Sequence, residues 1–219
     1  MSKLTTYFSV IFLSVGLSFP VQAQLGSLLS AVSSIGGGAD GQVKSFIDDS
    51  DTINKLIFSS LKAMERAYAT DEQRVKINEE MKAFNAITDP KERQAKVAET
   101  LKSDAAKLEE MVKAKDINEK TKKLDKVRRQ DLTSGTTNFL IAGLRATALA
   151  ATGSAIVSGV GSNPLNAIKV VPITAALPIL SEAASTSASL MPQIFKVMQG
   201  ANIQVPKVAA NSKTQEVEF

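Results

Sequence analysis

The sequence predicts an all-α protein: a single helical bundle in which amphipathic helices pack around an apolar C-terminal helical hairpin. Three observations carry that expectation. Between Asp40 and Ser134 the apolar residues recur in steps of three and four, with charges filling the positions between them. Cap-like clusters punctuate the same region at Thr70, Asp89 and Asp116. From Asn138 to Gly200 the only charged residues are Arg145, Lys169, Glu182 and Lys196, so this stretch has little means of facing water on its own.

The chain opens with a segment that reads as an export signal. Lys3 supplies a positive n-region, Tyr7 to Leu17 a short apolar h-region, Pro20 a break, and Val21-Gln22-Ala23 a small-x-small cleavage site. An apolar run this short falls below the roughly 20 residues that cross a bilayer as a helix. Residues 1–23 are therefore expected as a cleaved signal peptide, which places the mature chain in the periplasm or outside the cell. With no cysteine anywhere in the 219 residues, neither lipid attachment behind the signal nor a disulfide is available, and stability must come from packing. Removing residues 1–23 takes away Lys3 alone and lowers the formal charge from +4 to +3, too mild an excess to point to nucleic acid.

Residues 24–41 contain Leu25, Leu28, Leu29, Val32 and Ile35 at helical spacing, then Gly36-Gly37-Gly38. They predict a short lead-in helix and a glycine-rich hinge. A phosphate-cradling loop would need a preceding strand and a Lys-Ser/Thr pair opening the next helix, and neither is present.

The bundle proper is expected over residues 42–200. Val43, Phe46, Ile47, Ile53, Leu56, Ile57, Leu61, Met64 and Tyr68 form one stripe, which predicts a long first helix with a bend at Asp48-Asp49-Ser50-Asp51. Thr70-x-x-Gln73, Asp89-Pro90-x-Glu92 and Asp116-x-x-Glu119 read as helix starts, with Pro90 at the first helical position, where its missing N–H costs nothing. Ile77, Met81, Phe84 and Ile87 or Thr88 line the second helix; Val97, Leu101, Ala105, Leu108 and Val112 the third; Ile117, Thr121, Leu124, Val127 and Leu132 the fourth. Gly135 is expected to end or interrupt that fourth helix.

The hairpin follows. Phe139 to Val160 is rich in Ala, Gly, Ser and Thr, including Ala155-x-x-x-Gly159, so another backbone can approach it closely. A turn is expected at Gly159 to Pro164, with Asn163 as N-cap. The second apolar helix contains Pro172 and Pro178, which should bend or break it, and Pro192 is expected to open a last short helix, Ile194 to Met198, closed by Gly200. Residues 201–219 show little periodicity and are expected as a mobile tail.

Composition removes several chemistries. Without His or Cys there is no Ser-His-Asp or Cys-His site, and no histidine- or thiolate-held metal or haem. Catalytic, cofactor-binding and metal residues are all expected to be none. Ser59-x-x-Lys62 has the spacing of the serine–lysine pair in penicillin-binding and β-lactamase families, but lacks their companion motifs and reads better as a solvated helix face. The acidic run Asp48 to Asp51 lacks the glycine and the twelfth-position glutamate of a calcium loop. The densest basic run supplies Lys120, Lys122, Lys123, Lys126, Arg128 and Arg129 as weak candidates for contact with an anionic surface. Its interleaved acids and lack of aromatics again favour a solvated face. Glu216-Val-Glu218-Phe219 resembles a chain end that a peptide pocket captures.

Two functional expectations result. The first is an exported, non-enzymatic protein that binds another cell-envelope protein. The alternative is a membrane-active protein that inserts its apolar hairpin, residues 139–190, into lipid. That layout is similar in outline to the helical pore-forming domains of colicin-type toxins, with no motif shared.

Overall fold

The computed structural model describes residues 39–160 and 168–219. The expected signal peptide, the expected lead-in helix and hinge up to residue 38, and most of the expected turn before Pro164 lie outside the described residues. Six α-helices lie among the described residues: α1 (Ala39–Tyr68), α2 (Asp71–Ala86), α3 (Pro90–Lys113), α4 (Ile117–Lys122), α5 (Lys126–Val160) and α6 (Val171–Gly200). No strand occurs among the described residues, and the fold is the all-α bundle that the periodicity predicts.

The start signals act largely as read. Thr70 closes a full capping box on α2: its side chain accepts from the Gln73 N–H, and Gln73 accepts from the Thr70 N–H. Asp89 accepts from the Lys91 N–H, with Pro90 at the first position of α3. Asp116 is an exception, for it makes no side-chain cap bond.

Four long helices form the body, in the ring order α1, α5, α6, α3, with α2 laid against α1 and the short α4 near the ends of α3 and α6. Close approaches fix the directions. Gly135 of α5 meets Ser60 and Met64 of α1, while Gly153 meets Phe46, so α5 runs antiparallel to α1. Gly143 meets Ser187 and Gly153 meets Leu177, so α6 runs antiparallel to α5. Arg93 pairs with Asp51 and Asp104 with Lys62, so α3 lies parallel to α1. Phe46, Ile57, Leu61 and Met64 from α1, Leu101 and Leu108 from α3, Phe139 and Ala142 from α5, and Ile173, Leu180 and Ile194 from α6 meet in one core. A stacked Phe58–Phe84 pair, centroids 3.9 Å apart, fastens α2 to α1.

Several expectations fail for physical reasons. The four acidic and polar residues from Asp48 to Asp51 do not break α1, which is continuous, with Phe46 and Ile53 on either side of them buried in the same core. Gly135 neither ends nor interrupts α5; it lies where the backbone of α1 comes close at Ser60 and Met64. The expected fourth helix is two: α4 stops at Lys122, and Arg129 of α5 donates to the carbonyls of Leu124 (2.8 Å) and Lys122 (2.7 Å) at the break. Pro178 and Pro192 sit inside α6 without dividing it, because Ile173, Leu180, Leu190 and Ile194 are buried on both sides of them. Pro172 occupies the first turn, where proline is tolerated. The helix is closed by Asn202 rather than Gly200. Asn202 takes the left-handed conformation (φ 56°) and the Ile203 N–H reaches back to the Met198 carbonyl at 2.8 Å.

Candidate functional site

Most of the charged groups in the interior hold helices together. Lys62 of α1, 3% exposed, lies 2.7 Å from Glu80, 3.1 Å from Asp104 and 3.3 Å from Glu65. Burial alone would lower its pKa, but the bond to Glu80 and the charges of Asp104 and Glu65 outweigh it and hold the ammonium well above the ordinary lysine range. A lysine kept protonated in this way cannot take a proton from Ser59, whose hydroxyl instead donates to the Leu56 carbonyl. The serine–lysine spacing is therefore structural.

The acidic run is likewise divided among partners. Asp48 pairs with Lys44 (2.6 Å), and Asp51 with Arg93 (2.6 Å) and Lys55 (3.0 Å). The basic run is split as well. Arg128 caps the α1–α2 junction through the Ala69 carbonyl (2.6 Å) and Asp71 (2.8 Å), and Arg129 caps the α4–α5 break. Lys120 pairs with Asp116 and Lys122 with Glu119, which leaves Lys123 and Lys126 exposed as the remainder of the expected patch.

A second buried network joins α1, α2 and α5. Arg66, 4% exposed, donates two bonds to the Asp131 carboxylate, one of them 3.0 Å from Nε to Oδ2, and a third to Asn78 Oδ1 at 3.1 Å. Arg74 adds a bond to Asp131 at 3.0 Å and one to the Arg66 carbonyl at 2.8 Å. Over the guanidinium of Arg66 lies the ring of Phe219, 4.5 Å from ring centroid to Cζ.

Phe219 is there because the tail is docked. The segment expected to be mobile lies along α1 and α5, held by two side chains that project from the middle of α5. Asn138, 2% exposed, accepts from the Gln215 N–H (2.7 Å) and donates to the Gln215 carbonyl (2.8 Å). Arg145 donates to the carbonyls of Ala210 (2.7 Å) and Ser212 (3.0 Å). A cavity of about 330 Å³ remains beside Val217 and Phe219, walled by Thr52, Leu56 and Ser59 of α1 and by Met81 and Asn85 of α2. Arg145 and Glu182, two of the few charges in the apolar stretch, do not pair with each other. Glu182 instead borders a smaller cavity between α3 and α6 with Lys102 and Glu109.

The hairpin itself is covered unevenly. In the most apolar stretch of α5, 44% of the residues are buried; in α6 the figure is 28%. The outward side of α6 presents Thr174, Ala175, Pro178, Ser181, Ser185, Ala188, Ser189 and Pro192, all exposed, with half-buried Glu182 the one charge between Val171 and Phe195. Comparison with known families, with curated proteins and with solved structures returns no match.

Proposed function

We propose that the chain is an exported, non-enzymatic helical protein that binds another protein of the cell envelope. The observation that carries this reading is the uncharged outer face of α6. A helix of such apolar composition is completed by a partner, and the chain's own charged helices lie on its other side. The face is built of Ser, Thr, Ala and Pro, whose transfer into hydrocarbon yields little. The same small side chains let a partner helix come close, so that van der Waals contact accumulates over many residues. The deeply buried charges are committed to ion pairs within the bundle, and His and Cys chemistry is absent from the sequence.

One observation favours the membrane reading as a second possibility: α5 and α6 are each long and apolar enough to cross a bilayer. Against it stand Arg145 and Glu182 within the legs, because a charge near the bilayer centre costs at least about 2.5 kcal/mol.

The deciding experiment pairs liposome flotation and dye release with crosslinking from a photoreactive residue at Ser185 in envelope extracts. A defined crosslinked protein, lost in an Ala188→Arg variant that melts like the parent, supports the proposal. Flotation with dye release that Ala155→Asp abolishes overturns it in favour of lipid.

A further inference from the structure

We propose that the cleft between α1, α2 and α5 is a peptide-binding site, and that residues 209–219 occupy it as a displaceable ligand in cis. The ligand class is an extended protein segment with an apolar residue two positions, and an aromatic residue four positions, beyond the one whose backbone is gripped.

The grip is directed at main chain. Asn138 takes both the N–H and the carbonyl of Gln215, and Arg145 takes the carbonyls of Ala210 and Ser212. The Ala210 and Ser212 carbonyls belong to a turn closed by the Ser212 N–H on the Ala209 carbonyl (3.0 Å), whereas the two Asn138 bonds at Gln215 would serve any extended segment, as in strand-like peptide recognition. Specificity comes from alternate side chains on one side of the extended chain. Val217 and Phe219 are half-buried, whereas Gln215, Glu216 and Glu218 are exposed, and the Phe219 ring lies on Arg66.

The fit is also incomplete. Only Ala210 of the last ten residues is buried, and the 330 Å³ cavity beside Val217 and Phe219 admits a bulkier side chain than either. An occupant that underfills its site and is held mainly by main-chain bonds is poised to be replaced by one that fits better. Asn138 supports this on its own account. An amide side chain in the middle of an apolar helix is costly unless both of its ends find partners, and the docked backbone supplies them.

The test uses a fluorescein-labelled peptide of residues 209–219 and three proteins: the mature chain, the chain ending at Val208, and the full-length Phe219→Ala variant. A tail docked at least nine-tenths of the time raises the apparent Kd of a competing peptide about tenfold. The truncated chain is therefore expected to bind the peptide at least about tenfold more tightly than the mature chain, with Phe219→Ala between them. Asn138→Ala in the truncated chain, or Phe→Ala at the end of the peptide, should remove binding, while exchanging the peptide's Lys213 and Thr214 for alanine should not. Phe219→Ala keeps the cleft and most of the tail, so it tests the idea even if truncation disturbs folding. Two results overturn it: no saturable binding to either altered protein, both melting cooperatively, or a concentration-dependent dimer that truncation abolishes, which would assign the cleft to tail exchange between two copies. Neither result bears on the α6 face.

Discussion

Gly135→Ala sets two well-characterised effects against each other at one atom. In an exposed helix interior the change favours the helix by about 0.5–1 kcal/mol, because glycine loses more backbone freedom on folding. At position 135 the added Cβ would lie 2.8 Å from Met64 Cγ, 2.9 Å from the Ser60 carbonyl oxygen and 3.0 Å from the Met64 backbone nitrogen. The first contact is about 0.7 Å inside the 3.5–4.0 Å at which carbon atoms pack best. Met64 can rotate, but the two backbone atoms recede only if α1 and α5 separate along their whole antiparallel contact. Overpacking of this kind costs about 1–3 kcal/mol, and here the obstacle is backbone, which argues for the upper half of that range. The expected net change is a destabilisation of about 1–2.5 kcal/mol, measured by urea unfolding followed by circular dichroism at 222 nm. Gly41→Ala is the matched control, since a Cβ there meets nothing within 4 Å, and it should be neutral or mildly stabilising. If Gly135→Ala proves as stable as the parent, the close crossing of α1 and α5 is wrong, and with it the placement of Asn138 one turn further along.

Other expectations rest on the buried ions and the caps. Asp131→Ala leaves Arg66 and Arg74 without their carboxylate and should cost about 3–5 kcal/mol, lowering Tm in scanning calorimetry by roughly 6–20 °C for a chain of this size; replacing Arg66 and Asp131 together by Met and Leu should recover much of that loss. Lys62 is held above the lysine range in the folded state. Its stabilisation is therefore complete below the unfolded pKa of about 10.4 and is lost as pH rises through the folded value. The Tm gap between the parent and Lys62→Met should stay constant from pH 7 to about pH 10 and narrow above that; a gap that instead widens with pH would reverse the assignment. Thr70→Ala removes the α2 capping box and should cost about 1 kcal/mol, with earlier amide exchange confined to the first turn of α2.

How much of this was legible follows from the range of the interactions involved. The α2 and α3 starts could be read because their donors and acceptors lie within three residues of each other, as at Thr70–Gln73 and Asp89–Lys91. The buried stripes could be read because helical periodicity is itself local. Proline misled the reading of α6, since a local rule about Pro178 and Pro192 cannot weigh the burial of Leu180, Leu190 and Ile194 around them. The end of α6 was assigned to Gly200 on residue type, whereas Asn202, the other residue that tolerates a left-handed backbone, performs the turn. The tail clamp was invisible for a plainer reason. Asn138 meets Gln215 across 77 positions and Arg145 meets Ala210 across 65, and nothing near either side chain in sequence announces its partner. An arginine inside an apolar leg was a sound signal that some acceptor existed; only the fold could say that the acceptors were main-chain carbonyls.

The anchoring of α2 has a further consequence. Over 16 residues this helix buries only Ile77, Met81 and Phe84, whereas α6 buries ten side chains over 30, and it packs mainly on α1, with ion pairs from Asp71 and Arg74 reaching α5. This lightly packed helix is thus also one bank of the cleft, contributing Met81 and Asn85. Swinging outward about its capped start at Thr70, α2 would breathe on a lower energy scale than the four-helix body. Mild urea or warming then loosens the entrance before the rest of the molecule yields, and access to the cleft becomes a matter of hinge rate as much as of fit.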